Sequence, residues 1–251
     1  MVKKKKKKKG KKKVSPNGKP FVSVCTPTYN RRIILPNLIK CFQAQTYPKE
    51  LMEWIIIDDS DESVADLFEG VECVKYFRYE EKIKLGRKRN LMHEKSKGEI
   101  LVYMDDDDYY PPDRVNHAVN RLRSKPQALA AGSSAVYIYF NDLDKVYQFG
   151  PYGPSHATAG TFAFKRELLK QTSYDDDAEM AEEKKFLKDY TVPFVQLNPD
   201  KAILVFAHQY NTFDKRTLLK NPHPQFVRET KLTVQNFIKK NKEAINFYIN
   251  V

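Results

Sequence analysis

The chain has 251 residues and a formal charge of +12, with 44 lysines and arginines against 32 aspartates and glutamates. That length can bury a full core and suits one α/β domain, while no stretch approaches the roughly 18 apolar residues of a membrane-spanning helix. Three cysteines, Cys25, Cys41 and Cys73, are odd in number and lack metal-ligand spacing, which argues against a disulfide scaffold and points to a reducing, cytoplasmic setting.

Lys3 to Lys9, Lys11 to Lys13 and Lys19 carry nearly all of the excess charge, so the body of the chain is close to neutral. Residues 1–20 have no apolar side chain between Val2 and Val14 and cannot offset the entropy of ordering, which predicts a disordered tail. They also lack the apolar segment of a secretory signal. Such a tail attracts nucleic acid, an anionic membrane surface or an acidic partner, or serves as a solubilising or targeting extension.

From Phe21 onward, runs rich in Val, Ile, Tyr and Phe alternate with amphipathic stretches, as in a mainly parallel sheet flanked by helices. Strands are predicted over 21–27, 53–58, 71–78 and 99–105, with helices near 32–44, 62–69 and 86–96. The stretch "PPDRVNHAVNRLRSK" starts a further helix, with Pro112 in its first turn and Val115, Ala118, Val119 and Leu122 as its buried stripe. Trp54 reads as core.

After about residue 127 the texture changes. "ALAAGSSAVYIYF" (128–140) and "KVYQFG" (145–150) are predicted as antiparallel strands joined by "NDLD", followed by the Gly- and Pro-rich loop "GPYGPSHATAG". "TFAFKRELL" reads as a strand entering a short helix, 178–190 as a helix, 193–198 and 201–209 as strands, and 225–242 as a closing amphipathic helix. The expectation is a single α/β domain over 21–251: a first half with a nucleotide-binding type of sheet (21–125), a mixed second half with a smaller antiparallel portion that carries the rest of the site (126–216), and a C-terminal helical region (217–251).

In open sheets of this kind ligands bind outside the carboxyl ends of the strands. Three loops lie there: "TPTYNRR", "DDSDES" and "DDDDYYPP". Four consecutive carboxylates repel one another unless something positive sits among them, so Asp105 to Asp108 ask for a cation, and a divalent metal is the first candidate.

"VSVCTPTYNR", "IIIDDSDES", "LGRKRN" and "GEILVYMDDDDYYPPDRV", in that order and spacing, resemble the family 2 glycosyltransferases of GT-A fold, from Phe21 to about Arg216. The resemblance implies an inverting, hexosyltransferase-type enzyme. It would move a sugar from a nucleotide-diphosphate sugar, with uridine diphosphate the expected carrier, to a hydroxyl on a glycan, protein or lipid carrier. It implies that Thr26, Pro27, Thr28 and Tyr29 line the base and ribose pocket and that Asp59 holds the base, although the family's usual Asp-Asp-Gly-Ser is here Asp58, Asp59, Ser60 and Asp61. Arg87 or Arg89 would reach the base or the diphosphate, since guanidinium suits phosphate.

The aspartate run matches the family's Asp-x-Asp element, which implies Mn²⁺ or Mg²⁺. Asp105 and Asp107 have the spacing, with Asp107 the metal ligand, Asp106 near the ribose, and Asp108 fixing the loop or capping the next helix. The family's late histidine implies His208 as a further metal ligand. "EEKKFL" fits the family's base position, with Glu183 as general base and Glu182 beside it; Asp175 to Asp177 are the alternative. His156 would face the acceptor.

Two other classes compete. A sugar nucleotidyltransferase would need a glycine-rich phosphate loop after the first strand, and "TPTYNRR" has no glycine. A catalytically inactive nucleotide-sugar binding module, docked by its basic tail, would bind donor without turnover. If the tail is the anionic anchor, deleting residues 1–20 abolishes salt-sensitive binding to DNA or anionic vesicles in a co-sedimentation assay; binding that survives the deletion belongs elsewhere on the chain.

Overall fold

The structure, a computed structural model, describes residues 18–179, 183–239 and 241–250. Most of the expected tail and Glu182 therefore lie outside the described residues. The first half follows the expected order: β1 (Val22–Thr28), α1 (Leu35–Gln43), β2 (Met52–Asp58), β3 (Val74–Arg78), α2 (Leu85–Lys95), β4 (Ile100–Tyr103) and α3 (Arg114–Ser124). The helix expected over 62–69 is a short 3-10 turn, Ala65–Phe68.

Local chemistry accounts for these elements. β1, β2 and β4 are buried along their whole lengths, as continuous apolar runs must be in a parallel sheet covered on both faces. In α1, Leu35, Leu38, Ile39 and Phe42 fall at helical spacing and form the buried stripe, and a proline sits in the first turn where a missing N–H costs nothing. Alternate residues of β2 feed opposite faces of the sheet: Trp54 and Ile56 pack with Phe42 and Phe68, and Ile55 and Ile57 with Tyr103, Phe164 and Phe186. Trp54 is core, stacked on Phe42 at 4.4 Å between ring centroids.

The second half departs more from expectation. It contains β5 (Ala130–Gly132), β6 (Val136–Phe140), β7 (Lys145–Phe149), β8 (Ala163–Lys165), α4 (Glu183–Phe186), β9 (Phe194–Gln196), α5 (Pro199–Ala202), β10 (Leu204–Ala207), β11 (Val227–Glu229), α6 (Val234–Ile238) and α7 (Lys242–Asn250). The single strand expected over 128–140 is two strands in different sheets. Ser133 N–H donates to Thr161 Oγ1 (2.8 Å) and Ser134 N–H to Gln196 Oε1 (2.8 Å), so side chains take the place of ladder partners at the corner. The helix expected over 178–190 is helical among the described residues only from Glu183 to Phe186, because Lys188, Asp189 and Tyr190 all take positive φ (52°, 53° and 62°). The segment 225–242 supplies a strand, β11, before its helix α6.

The larger sheet has the order β3-β2-β1-β4-β8-β5-β9, with β8 antiparallel to both β4 and β5 and every other pair parallel. The smaller sheet runs β10-β6-β7-β11; β6 and β7 are antiparallel as expected, and β10 is parallel to β6. β1 and β4, neighbours in the middle of the larger sheet, both end at the same edge, and the β10 side of the smaller sheet reaches the aspartate run through backbone bonds between Tyr109 and Leu204 (3.0 and 2.9 Å).

One buried cation ties this region together. Arg114, fully buried on α3, donates from Nη2 to the carbonyls of Thr161 (2.7 Å), Phe162 (2.8 Å) and Tyr103 (3.3 Å), joining α3 to β4 and to the 3-10 turn Ala159–Thr161. Burial lowers its pKa to about 10, still charged at neutral pH. Removing such a group leaves buried carbonyls unsatisfied. Arg114→Ala should lower stability by about 3 kcal/mol in urea unfolding; a loss under about 1 kcal/mol would mean that the guanidinium is dispensable there.

Candidate active site

A cavity opens at the carboxyl ends of β1 and β4. The end of β1 gives it Pro27 and Thr28, the loop to α1 gives Tyr29 and Arg31, α2 gives Leu85, Lys88 and Arg89, the segment after β4 gives Asp105, Asp106 and Asp107, and the segment after β10 gives Thr212, Phe213 and Lys215. Of the expected pocket residues, Thr26 stands beneath it: its hydroxyl donates to the Met104 carbonyl (2.6 Å) and accepts from Trp54 Nε1 (2.9 Å).

Each aspartate of the run has a different surrounding. Asp105 lies 3.3 Å from Arg89, Asp106 3.6 Å from Arg31 Nε, and Asp107 3.9 Å from Lys215 while accepting from Asn211 Nδ2 (2.9 Å). Asp108 turns the other way and accepts from Phe206 N–H (3.0 Å), which fixes the loop to β10. Burial drives Asp106 up to about 7, with Asp107 beside it adding to the effect and Arg31 opposing it. Burial would raise Asp107 as well, but Lys215, Arg31, His208 and the Asn211 hydrogen bond together hold it below the ordinary carboxylate range.

Helical geometry separates the two arginines of "GRKRN". Leu85, Lys88, Arg89 and Met92 share the inward face of α2, and Arg89 is buried with its guanidinium 4.7 Å from the Tyr103 ring centroid. Arg87 points outward, pairing with Glu94 (2.8 Å) and lying 3.9 Å from Asp176. Asp59 is buried: one carboxylate oxygen pairs with Lys88 Nζ and the other accepts from Ile83 N–H (2.6 Å). Lys88 also donates to the Thr28 carbonyl (3.2 Å), which couples the β2 acid to the cavity wall.

His208 Nδ1 accepts from Tyr210 N–H (3.2 Å), and Nε2 lies 3.4 Å from the Asp107 carbonyl and 3.2 Å from Asn211 Nδ2. Burial keeps this ring below its ordinary pKa despite the nearby Asp107, so it is neutral at pH 7. Among the described residues no cluster of three or more His, Cys, Asp or Glu is arranged as a metal cage. An ionised carboxylate beside a neutral imidazole nevertheless fits a divalent cation that takes its remaining ligands from phosphate oxygens and water.

Glu183 opens α4 and accepts from Ala159 N–H (3.2 Å). The next residue, Gly160, faces Asp105: a Cβ there would sit 3.0 Å from Asp105 Oδ2. The structure thus brings Glu183 to the back of the turn that walls the aspartate run, while Asp175 pairs with Lys185 (2.7 Å). Arg31, Lys88, Asn211 and Lys215 were not anticipated from sequence. For Lys88 the signal was present, because helical spacing puts it beside Arg89; for Lys215 and Asn211 no pattern in the chain points to the cavity.

The sequence profile of the family described as "Glycosyl transferase family 2" matches residues 23–191. The chain belongs to glycosyl transferase family 2. This family 2 chain is 30% identical over 119 residues to a Bacillus subtilis protein provisionally named as the teichuronic acid biosynthesis glycosyltransferase TuaG, the match covering 45% of the chain and 46% of the relative. Its fold is similar to the mannosyltransferase PcManGT from Pyrobaculum calidifontis, solved in complex with GDP-Man and Mn²⁺, with a TM-score of 0.62, 18% identity and 77% of this chain and 59% of that one covered. It is similar also to S. aureus TarS 1-349 in complex with UDP-GlcNAc, with a TM-score of 0.57, 19% identity and 76% and 59% covered. The matched region therefore spans less than two thirds of each of these proteins, and at these identities the solved structures establish the GT-A fold. Among the described residues no helix is long and apolar enough to cross a membrane. All three cysteines are free.

The raised Asp106 has a stability consequence. An acid whose folded pKa of about 7 exceeds its unfolded value near 4 costs stability as pH rises through that window, because the folded state must give up a proton that the unfolded state has already lost. Asp106→Asn should raise the melting temperature of the ligand-free chain at pH 8 and leave it nearly unchanged at pH 4. Equal effects at both values would show that Asp106 does not titrate in this window.

Proposed function

We propose that this family 2 chain is an inverting, metal-assisted glycosyltransferase that moves a sugar from a nucleotide-diphosphate sugar to an acceptor hydroxyl, with uridine diphosphate as the carrier. The observation that carries this reading is the charge arrangement of the cavity. A carboxylate held ionised, Asp107, stands among Arg31, Lys88, Arg89 and Lys215 at the carboxyl end of the sheet. A departing diphosphate develops negative charge, and buried cations positioned in advance stabilise it without reorganisation.

Thr28 and Tyr29 line the nucleoside part of the cavity, with Thr26 bracing the loop from beneath and Asp59 acting through Lys88 and the Ile83 amide. Arg89 and Lys215 face the diphosphate. Asp107 and His208 would hold Mn²⁺ or Mg²⁺, which when bound accepts charge from the leaving group. The acceptor oxygen attacks the anomeric carbon on the side opposite the diphosphate; its new C–O bond forms as the C–O bond to phosphate breaks, and that electron pair leaves with the nucleotide. Glu183 takes the hydroxyl proton. Its contact with Ala159 N–H supports this role by holding a carboxylate one residue from Gly160, the position whose added Cβ would meet Asp105. Like the solved neighbours, one with GDP-Man and Mn²⁺ and one with UDP-GlcNAc, the chain would use a nucleotide sugar as donor.

A donor-hydrolysis screen over uridine, guanosine and other nucleotide sugars should find one that the chain cleaves. Asp107→Ala should slow that cleavage by about 10² or more, whereas Glu183→Gln should leave donor affinity in place and slow transfer to acceptor by a similar factor. Metal-dependent donor binding with no turnover under any condition would instead favour the inactive binding module.

A further inference from the structure

A row of aromatic rings begins next to Glu183 and lies outside the donor cavity. Tyr190 and His156 have ring centroids 5.3 Å apart, His156 and Tyr152 5.0 Å, Tyr152 and Phe226 5.1 Å, and Phe226 and His223 5.1 Å. Most aromatic contacts of this chain are core packing, but this row is at the surface: Tyr152 is 43% exposed, His223 is exposed, and the other three rings are half-buried. None of the five lines the cavity that receives the donor in the reading above. The row is nonetheless continuous with the proposed base, since Tyr190 closes the segment that Glu183 opens and His156 stands three residues before Ala159, the amide that Glu183 accepts.

The segment is built to hold that continuity. Lys188, Asp189 and Tyr190 are three successive residues with positive φ, a conformation that side chains other than glycine and asparagine rarely adopt, and it turns the Tyr190 ring toward His156. At the other end, Gly150 N–H donates to the Phe226 carbonyl (2.8 Å), and Tyr152 and Gly153 N–H both donate to Ser134 Oγ (2.7 and 2.9 Å), so the Pro-rich loop is pinned where its rings meet Phe226.

We propose that this row, Tyr190, His156, Tyr152, Phe226 and His223, is the acceptor platform and that its occupant is a carbohydrate chain. The proposal rests on the transfer reading above and names the substrate class for that site. A pyranose has an apolar C–H face and a rim of hydroxyls. Rings with polar edges, such as phenol and imidazole, match it by stacking on the face and hydrogen-bonding the rim. His156 Nδ1 is buried and has no hydrogen-bond partner among the described residues. A nucleic acid would need cations interleaved with the rings, and the row has no lysine or arginine. A polyprenyl chain would be served by a wholly apolar surface, and this row mixes apolar faces with polar edges.

Saturation-transfer NMR with irradiation of aromatic protons tests the platform directly, using cello-, malto- and chito-oligosaccharides of one to six units as probes. In the unaltered chain at least one series should show enhancement on ring C–H protons, growing with length. Tyr152→Ala should weaken that binding by about tenfold, Tyr152→Phe should largely retain it, and both should keep the nucleotide-sugar affinity measured by calorimetry. No enhancement with any series, an unchanged response in Tyr152→Ala, or binding only to vesicles carrying a polyprenyl phosphate would each overturn the carbohydrate platform. Failure of the donor reading would look different: the unaltered chain would bind no nucleotide sugar, and the acceptor role of the row would fall with it even if oligosaccharides stacked there.

Discussion

Three neighbouring carboxylates, each facing a cation from a different part of the chain, are the constraint on which the site depends. Asp105 faces Arg89 of α2, Asp106 faces Arg31 of the loop after β1, and Asp107 faces Lys215 from the segment after β10. Like charges along one backbone stretch repel, and the fold meets that cost by drawing three separate elements toward the run. Asp106 and Asp107 meet their cations only at 3.6 and 3.9 Å, and Arg31 Nε makes no hydrogen bond, whereas the Arg89–Asp105 pair closes to a hydrogen bond at 3.3 Å. Cations that stand near acids without closing on them, as Arg31 and Lys215 do, retain capacity for an anionic ligand.

The frame behind the run is correspondingly rigid. Asp108 is tied to Phe206 N–H, its carbonyl accepts from the Tyr248 hydroxyl (3.1 Å), and the Tyr110 hydroxyl accepts from Asp105 N–H (2.7 Å). Arg114 fixes the facing turn from below.

The parallel half of the fold was legible in the chain because its strands are buried on both faces and read as unbroken apolar runs, as in "VSVCTPT" and "MEWIIID". The second half was less so, since there the decisive contacts are remote. Nothing within 128–140 says that Thr161 and Gln196 will take the amides of Ser133 and Ser134 and split one apolar run between two sheets. Nor does the charged pattern of 178–190 reveal that the chain leaves the helix through three positive-φ residues. In the site, the aspartate run, the β1 loop and the "GRKRN" segment stood out by motif, but the motif did not choose between Arg87 and Arg89. Lys88 is legible by helical phase, since it shares the inward face of α2 with Arg89, whereas Lys215 and Asn211 arrive by tertiary folding alone.

The central claim is that the aspartate run and the three cations facing it form the seat of a nucleoside diphosphate. A crystal structure of the chain grown with uridine diphosphate and Mn²⁺, read by anomalous scattering, addresses it most directly. The account predicts a manganese peak on the Asp107 carboxylate, with diphosphate oxygens against Arg89 and Lys215 and the Lys215 contact to Asp107 given up. A nucleotide bound elsewhere, or an unchanged set of acid–cation pairs around an empty cavity, would contradict it.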